Sequence, residues 1–391
     1  MEFDSIIVRF SGEIGIKSEW TRRAYEKQVL QNLKQTLKFA DLKPDAIERI
    51  RGRIYLKTQK PNETAKALGK IFGITSVSPA KVTSSEFSDI TKIALEMVKE
   101  IIKENTTFVV RSHRSGTHPY TSMDLCRDLG EKILEAYEQF DLKVDLFNPQ
   151  VTVNVEVRDQ QAYVYVQTLQ GAKGFPVGTQ AKIIGLLSGG IDSPVACWLT
   201  MKRGCPTIPV FVDNFPFTDE KTKQKAIETA RILKQWSAGH IRKMYIVPNG
   251  ENMKNILQKT PRRFTCLFCK RLMYLISENI AELENALGIV TGEAIGEQAS
   301  QTLQNLYVID EAAKAYPIHR PLLGFDKLEI EAFAKKIGTY EVSIVKTESC
   351  SAVPSMPSTM AKLSAIKDAE KELDMYAMAK TAVQAAQIIE I

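Results

Sequence analysis

The sequence predicts a mixed α+β half followed by an α/β half built on a doubly wound parallel sheet, and three observations carry that expectation. Up to about residue 170, short aliphatic runs alternate with helical stretches and close on a hairpin. From residue 181 onward, strand-like and helix-like patterns alternate singly, the order that gives parallel strands joined by crossover helices. Between the halves lies Gly171-Ala172-Lys173-Gly174-Phe175-Pro176-Val177-Gly178-Thr179, a glycine-rich stretch that reads as a hinge. The expected divisions are residues 1–82, residues 83–170, a linker over 171–180, and residues 181–391. A chain of 391 residues with 44% hydrophobic content can fill that many cores.

The first segment reads as strand Ser5 to Phe10, helix Glu19 to Phe39, strand-like Ile47 to Lys57, helix Asn62 to Phe72 and strand Val77 to Val82. This repeated order at this length suggests a ferredoxin-like fold. The second reads as helix Ser88 to Lys103, strand Thr107 to Ser112, helix Ser122 to Phe140, and strands Val151 to Arg158 and Gln161 to Thr168, a hairpin around Asp159-Gln160. In the last segment Lys182 to Leu187 has buried-strand composition, Ser188 to Ser193 is small and flexible, and Pro194 suits a first helical turn. Further strands are expected at Pro209 to Asp213, Lys243 to Pro248 and Gly288 to Thr291. Helices are expected from Asp219 to Trp236, Asn252 to Gln258, after Cys266, around Gln298 and from Asp326 to Ile337. The stretch after Met360 is alanine-rich and helix-forming.

A strand-to-helix turn of the form Ser188-Gly189-Gly190-Ile191-Asp192-Ser193 binds anions. Its glycines let a phosphate approach the backbone, the orphan N–H groups of the helix start point at it, and two serine hydroxyls add donors. No Gly-Lys-Ser/Thr follows, so this is not a Walker A loop. In a doubly wound sheet ligands bind at the carboxyl ends of strands, so Leu187-Ser188, Phe211-Val212 and Thr291-Gly292 should line one crevice.

The net charge of +6 is mild, and a nucleic-acid surface has to come from local clustering. Arg9, Lys17, Arg22, Arg23, Lys27, Arg49, Arg51 and Arg53 outnumber the acids near them. Singly each reads as a solvated surface cation, yet Arg51-Gly52-Arg53 in a hairpin turn and Arg22-Arg23 at a helix start suit phosphate contacts. The start MEFDSIIVRF lacks a basic n-region and an apolar h-region, and no later run approaches a membrane span. The expectation is a cytoplasmic protein with no membrane partner. Six cysteines in so long a chain do not make a disulfide framework, whereas Cys266-Leu267-Phe268-Cys269 points to metal or redox chemistry. Cys126, Cys197 and Cys205 sit in apolar or boundary contexts and read as core residues.

Three resemblances sharpen this reading. The order helix, strand, basic loop Arg111-Ser112-His113-Arg114-Ser115, helix from Ser122 and Asp124, Asn148-Pro149 and hairpin resembles a THUMP domain, a module of RNA-modifying enzymes. Arg111 and Arg114 would then contact an RNA backbone. Ser188 to Ser193 resembles the loop of PP-loop ATPases, which adenylate an oxygen and release pyrophosphate. The boundary stretch, the loop with its strand, Thr291-Gly292-Glu293-Ala294-Ile295-Gly296-Glu297-Gln298-Ala299-Ser300-Gln301-Thr302 and Arg320-Pro321-Leu322-Leu323-Gly324-Phe325-Asp326-Lys327 together resemble the tRNA 4-thiouridine synthetase family over nearly the whole length.

That resemblance implies an ATP-dependent sulfurtransferase acting on uridine 8 of tRNA. It implies a nucleotide site of Leu186, Leu187, Phe211, Val212, Lys270, Gly292 and Gln301 around the phosphate loop Ser188, Gly189, Gly190, Asp192 and Ser193. Asp192 would serve Mg²⁺ or orient the loop, Lys327 would stabilise charge on the α-phosphate or leaving group, and Cys350 matches the family's catalytic cysteine. Many bacterial members resolve a persulfide on that residue with a second cysteine in a rhodanese domain, and the expectation here is the short form without one. Cys266, Cys269 and Cys350 instead resemble the archaeal-type branch, in which three cysteines hold an iron–sulfur cluster, 4Fe-4S or 3Fe-4S. A zinc site, a Cys266–Cys269 disulfide and a persulfide on Cys350 alone stand as alternatives. The implied partners are tRNA, sulfide or a sulfur-donor protein, and a second copy of the chain in a homodimer. The competing readings are a PP-loop enzyme that uses another nucleophile or nucleoside, and an RNA-binding protein with an inactive ATP site.

Overall fold

A computed structural model describes residues 3–50 and 52–391. The chain divides into two compact units, Met1–Gly174 and Phe175–Ile391. Among the described residues no helix is long and apolar enough to cross a membrane.

The first unit carries β1 (Ser5–Phe10), β2 (Ala46–Ile50), β3 (Arg53–Lys57), β4 (Ile74–Ser84), β5 (Thr107–Ser115), β6 (Lys143–Val144), β7 (Val151–Arg158), β8 (Gln161–Tyr165) and β9 (Leu169–Gln170). They form one sheet in the order β2-β3-β1-β4-β8-β7-β5-β6, with β9 also paired to β4. β4 is why the two expected domains share a sheet: its first part runs antiparallel to β1 with Val8 opposite Val77, and its end pairs β8 with Lys81 opposite Val164. The helices follow amphipathic spacing. Glu19–Phe39 buries Val29, Leu33 and Leu37, and Ser122–Ala136, started by a Thr121/Asp124 capping box, buries Leu125, Leu129 and Ile133.

A buried carboxylate ties the two halves of this sheet together. Glu156 on β7 is fully buried and accepts hydrogen bonds from Tyr55 (2.8 Å), Arg53 Nε (3.0 Å) and Arg158 Nη2 (2.7 Å), with Arg9 at 3.5 Å. Burial pushes this carboxyl up, but Arg158, Arg53, Tyr55 and Arg9 outweigh it and hold it below its ordinary value.

The second unit has β10 (Ile183–Leu186), β11 (Thr207–Asp213), β12 (Lys243–Pro248), β13 (Ile289–Val290), β14 (Ile318–His319) and β15 (Gln387–Glu390), in the order β14-β13-β10-β11-β12-β15. All pairs are parallel except β12 with β15. The doubly wound reading holds, with two corrections. The terminal stretch is not wholly helical, because β15 covers the β12 edge after helix Met375–Gln384. The residues around Gln298 form no α-helix; a 3₁₀ turn spans Ala299–Gln301 and the helix is Leu303–Asp310.

Each side of the boundary stretch is hydrogen-bonded to the unit it adjoins. Gly171 and Lys173 N–H groups donate to Thr75 and Ile74, within the first unit, while Phe175 and Gly178 donate to Lys202 and Gly204 in the second.

Replacing Glu156 by Gln leaves three arginines around a neutral group, and the first unit should lose about 3–5 kcal/mol of unfolding free energy. Because the folded carboxyl titrates below its ordinary value of 4.5, its contribution is complete above that value and is lost as pH falls below it. Hydrogen exchange in β3 and β7 of the wild type and E156Q, measured from pH 7 down to pH 3, checks both statements.

Candidate functional site

Strand order reverses between β10 and β13, because β11 and β12 extend one way from β10 while β13 and β14 extend the other. A crevice lies above such a switch point. The loop after β10 enters helix Asp192–Met201 and is held by its own hydroxyls: Ser188 N–H donates to Ser193 Oγ (2.8 Å), the two serine hydroxyls lie 3.0 Å apart, and Gly190 N–H donates to Ser188 Oγ (3.1 Å). Leu187 is locked to β11 through Val210, one residue before the buried pair Phe211 and Val212. After β13, Gly292 lies against the start of that helix so closely that a Cβ would stand 2.5 Å from Ser193 N. Only glycine fits there. Gln301 is buried, and its Oε1 has no hydrogen-bond partner among the described residues.

Lys327 opens helix Lys327–Ile337, whose start is fixed by an Asp326/Glu329 capping box. Its Nζ donates to Asp192 Oδ1 (2.7 Å) and Glu297 Oε1 (2.5 Å). A cation at a helix N-terminus opposes the helix dipole, and the two carboxylates offset that. Burial lowers the Lys327 pKa, but the bonds to Asp192 and Glu297 outweigh it and hold the ammonium above its ordinary value. Burial raises the Asp192 carboxyl more than Lys327 lowers it.

Lys270 is set by a buried carboxylate that sequence reasoning missed. Glu293, beside Gly292, accepts from Lys270 Nζ (2.8 Å), Tyr274 OH (2.5 Å), Arg320 Nε (2.8 Å) and Thr291 Oγ1 (3.1 Å). Desolvation raises this carboxyl, but Lys270 and Arg320 overcome it and bring it down to about 2. Both Glu293 and Arg320 lie in strings singled out from sequence, where the sequence alone assigns neither a role. Lys225 was also unmarked; its Cβ would stand 3.5 Å from a Cβ on Gly189, and its Nζ donates to the Val345 carbonyl (2.8 Å).

The cysteines sit on two segments, and Cys269 and Cys350 pack in the same hydrophobic cluster. Cys266 and Cys269 occupy the first turn of helix Thr265–Glu284, immediately before Lys270. Cys350 arrives on a segment pinned by Ser343 Oγ to the Gly190 carbonyl (3.3 Å), by Glu348 N–H to Asp219 (3.2 Å) and by Ser351 N–H to the Phe217 carbonyl (2.8 Å). All three are free thiols within electrostatic reach of one another. Burial pushes the Cys269 thiol up to about 12, with Cys266 and Cys350 adding to the rise. Among the described residues no three His, Cys, Asp or Glu side chains converge to hold a metal ion. Cys197 is a core residue, its thiol pushed to about 12 by burial.

The arginines expected at RNA separate. Arg22, Arg23 and Arg53 line one pocket of about 590 Å³ in the first unit, together with Arg49, Glu19 and Glu26. Arg53 is committed to Glu156 and Arg23 pairs with Glu19, while Arg51 lies outside the described residues. Arg111 is exposed on β5, and Arg114 turns back to the Gly116 carbonyl (3.1 Å).

Hydroxyl and N–H donors gathered at the switch point of a parallel sheet, with no Walker lysine, put the second unit in the PP-loop class of nucleotide-binding folds. Family models agree along the chain: the ferredoxin-like domain of ThiI matches residues 5–78, a THUMP domain matches 84–167, and "Thiamine biosynthesis protein (ThiI)" matches 178–375. The "Probable tRNA sulfurtransferase" of Methanosarcina mazei is 38% identical over 392 residues, covering 100% of this chain and 96% of that relative. Its namesake in Methanothermobacter thermautotrophicus is 37% identical over 381 residues, covering 96% and 95%. A solved 4-thiouridine synthetase in complex with RNA and bound ATP is 32% identical, with a TM-score of 0.88 and full coverage of both chains. A Pyrococcus horikoshii protein of known structure is 27% identical, with a TM-score of 0.67 over 86% of this chain and 99% of that one. The chain belongs to the ThiI family, whose curated relatives are named as tRNA sulfurtransferases.

Glu293 and Lys270 should behave as one unit. A double-mutant cycle of E293Q and K270M, read by chemical denaturation, should give a coupling of about 0.5–3 kcal/mol. Strict additivity would show that the pair is not energetically linked.

Proposed function

We propose that this chain is an ATP-dependent tRNA sulfurtransferase that converts uridine 8 of tRNA to 4-thiouridine. The observation that carries the reading is that the segment leading to Cys350 is hydrogen-bonded to the phosphate loop, through Ser343 Oγ and the Gly190 carbonyl, in a unit that carries three free thiols at Cys266, Cys269 and Cys350. The chemistry answers a leaving-group problem, since uridine O4 cannot depart as hydroxide at neutral pH. In the first step O4 attacks the α-phosphorus of ATP, the bond to the β-phosphate oxygen breaks, and pyrophosphate leaves. In the second, sulfide attacks C4, the C4–O4 bond breaks, AMP leaves with its electron pair, and loss of a proton gives the thiocarbonyl.

The chain's groups divide between these steps. The N–H and hydroxyl donors of Ser188, Gly189, Gly190 and Ser193 receive the phosphates, with Leu186, Leu187, Phe211, Val212 and Gly292 as the pocket around the nucleoside. The unpaired Oε1 of Gln301 is the acceptor that an adenine amino group or ribose hydroxyl would satisfy. Lys270 and Lys327 supply positive charge where the α-phosphate becomes more negative. Lys327 stands between Asp192 and Glu297 in the place a cation would take, so these carboxylates suit a Mg²⁺ arriving with ATP, which would neutralise phosphate charge.

Cys266, Cys269 and Cys350 would hold the iron–sulfur cluster. Thiolates of a cluster bind different irons and stand further apart than ligands of one ion, and three cysteines suit a cluster with one open iron, whereas a structural zinc site would want a fourth protein ligand. A cluster with one open iron would supply a place to bind hydrosulfide. The sulfur source is sulfide or a donor protein. The homodimer rests on family resemblance. Arg22, Arg23 and Arg49 around the first-unit pocket, with Arg111 and Arg114 on the THUMP side, would contact tRNA phosphates.

Incubated anaerobically with tRNA, ATP, Mg²⁺ and sulfide, the protein should form the near-ultraviolet absorbance of 4-thiouridine in step with AMP. AMP without a thionucleoside would refute the sulfur step, and C350A should stop thiolation while ATP binding persists. For the RNA face, R22E/R23E should weaken tRNA binding and leave ATP affinity unchanged. The dependence of log K on log salt should flatten by about one for each phosphate that is no longer neutralised.

A further inference from the structure

Asn214 follows directly on β11, and nothing in nucleotide binding calls for it. It is 9% exposed, and its Nδ2 donates to Cys269 Sγ at 3.7 Å. Its Oδ1 accepts from Asn249 Nδ2 at 2.7 Å, and Asn249, 1% exposed, accepts in turn from Asn252 Nδ2 at 3.0 Å. The relay ends where Asn252 Nδ2 also faces the Met378 carbonyl at 3.5 Å.

That last contact sets the direction of the whole chain. A carbonyl oxygen only accepts, so Asn252 must turn its NH₂ toward Met378 and Asn249. Asn249 then offers its oxygen backward and its NH₂ forward, and Asn214 is left with its NH₂ aimed at the sulfur. Reversing the relay would set two oxygens against each other at Met378 and a third against Cys269. Buried amides are tolerated only when satisfied, and two of them, continued by the half-buried Asn252 and ending on one sulfur, make a directed donor rather than general packing. The same turn supports the other arm of the sulfur site: the Asn214 carbonyl accepts from Phe217 N–H (2.8 Å), and the Phe217 carbonyl accepts from Ser351 N–H beside Cys350.

We propose that Asn214 is a tuning residue for the sulfur chemistry, its oriented amide withdrawing electron density from the Cys269 thiolate when the three cysteines hold a cluster. The inference rests on the cluster reading given above. A hydrogen bond donated to a cysteinyl sulfur favours the more electron-rich, reduced cluster and so raises its reduction potential. It also leaves the iron on that sulfur a stronger Lewis acid. Asn214 acts through Cys269 and touches no reacting atom.

The test uses the full-length protein purified anaerobically, with iron and labile sulfide quantified and the midpoint potential followed by visible absorbance and electron paramagnetic resonance. Asn214→Leu keeps the approximate size and removes the donor without adding charge. Asn249→Asp leaves Asn214 in place but takes away the N–H that orients it, so that the Asn214 amide turns its oxygen to the sulfur. Both variants should keep the wild-type iron content and show a midpoint potential shifted in the negative direction, the shift in the neutral N214L assigning it to the lost donor rather than to added charge. Full iron content with an unchanged potential in both would overturn the tuning role while leaving the cluster intact. Loss of iron from both variants, with thermal unfolding and ATP affinity as in the wild type, would also overturn it, because Asn214 would then be holding the ligand rather than tuning it. A wild-type protein without iron would remove the cluster reading and this inference together.

Discussion

The nucleotide crevice depends on the backbone contact between Gly292 and the start of helix Asp192–Met201, where no side chain fits. It follows from the reversal of strand order at β10 and β13, which brings the loop after β13 over the phosphate loop. Once Gly292 is fixed, Glu293 must turn away from that helix, and it turns into a buried site where Lys270, Tyr274, Arg320 and Thr291 meet it. The nucleotide crevice therefore has a floor of backbone contact and a wall of buried charge.

Two buried carboxylates do comparable work in the two units. Glu156 joins strands that are far apart in sequence, and Glu293 joins β13, β14 and the cysteine-bearing helix. An ionised carboxylate is tolerated in such places only because several cations and hydroxyls surround it, and the removal of any one partner is felt by the rest. Lys327 differs. Its side chain is 43% exposed, and the helix dipole behind it disfavours a cation, so its hold on Asp192 and Glu297 is of the kind an incoming phosphate can compete with.

Much of this was legible in the sequence. The aliphatic runs, the small-residue loop, the glycine at 292 and the cysteine spacing each carry a local physical signature, and they mark the parallel sheet and its switch point. What escaped has a common cause. β15 is a four-residue strand that exists because the β12 edge is there to pair with it, and its own composition says little. The segment around Gln298 has helical composition but is bent by the demands of Gly296 and Gln301, whose backbones hydrogen-bond to each other at 3.0 Å. Arg53 looked like a free phosphate ligand because Glu156 lies 103 residues away. Glu293 and Asn214 are ordinary polar residues until tertiary structure buries them.

Helix Thr265–Glu284 turns these separate features into one device. Cys266, Lys270 and Tyr274 recur every four residues and fall on one stripe, with Cys269 beside it. The lower part of the stripe meets Glu293, which follows Gly292, while Cys269 beside its upper part takes the Asn214 amide. A rigid helix cannot shift one of these contacts without the others. Under the proposed chemistry, O4 activation and sulfur attack act on two bonds of the same carbon-oxygen unit, so their groups must be held in one frame. Glu293 fixes that frame from the nucleotide side and Asn214 and Asn249 from the sulfur side, which is why all three are buried and hydrogen-bonded while Lys327 is left partly exposed.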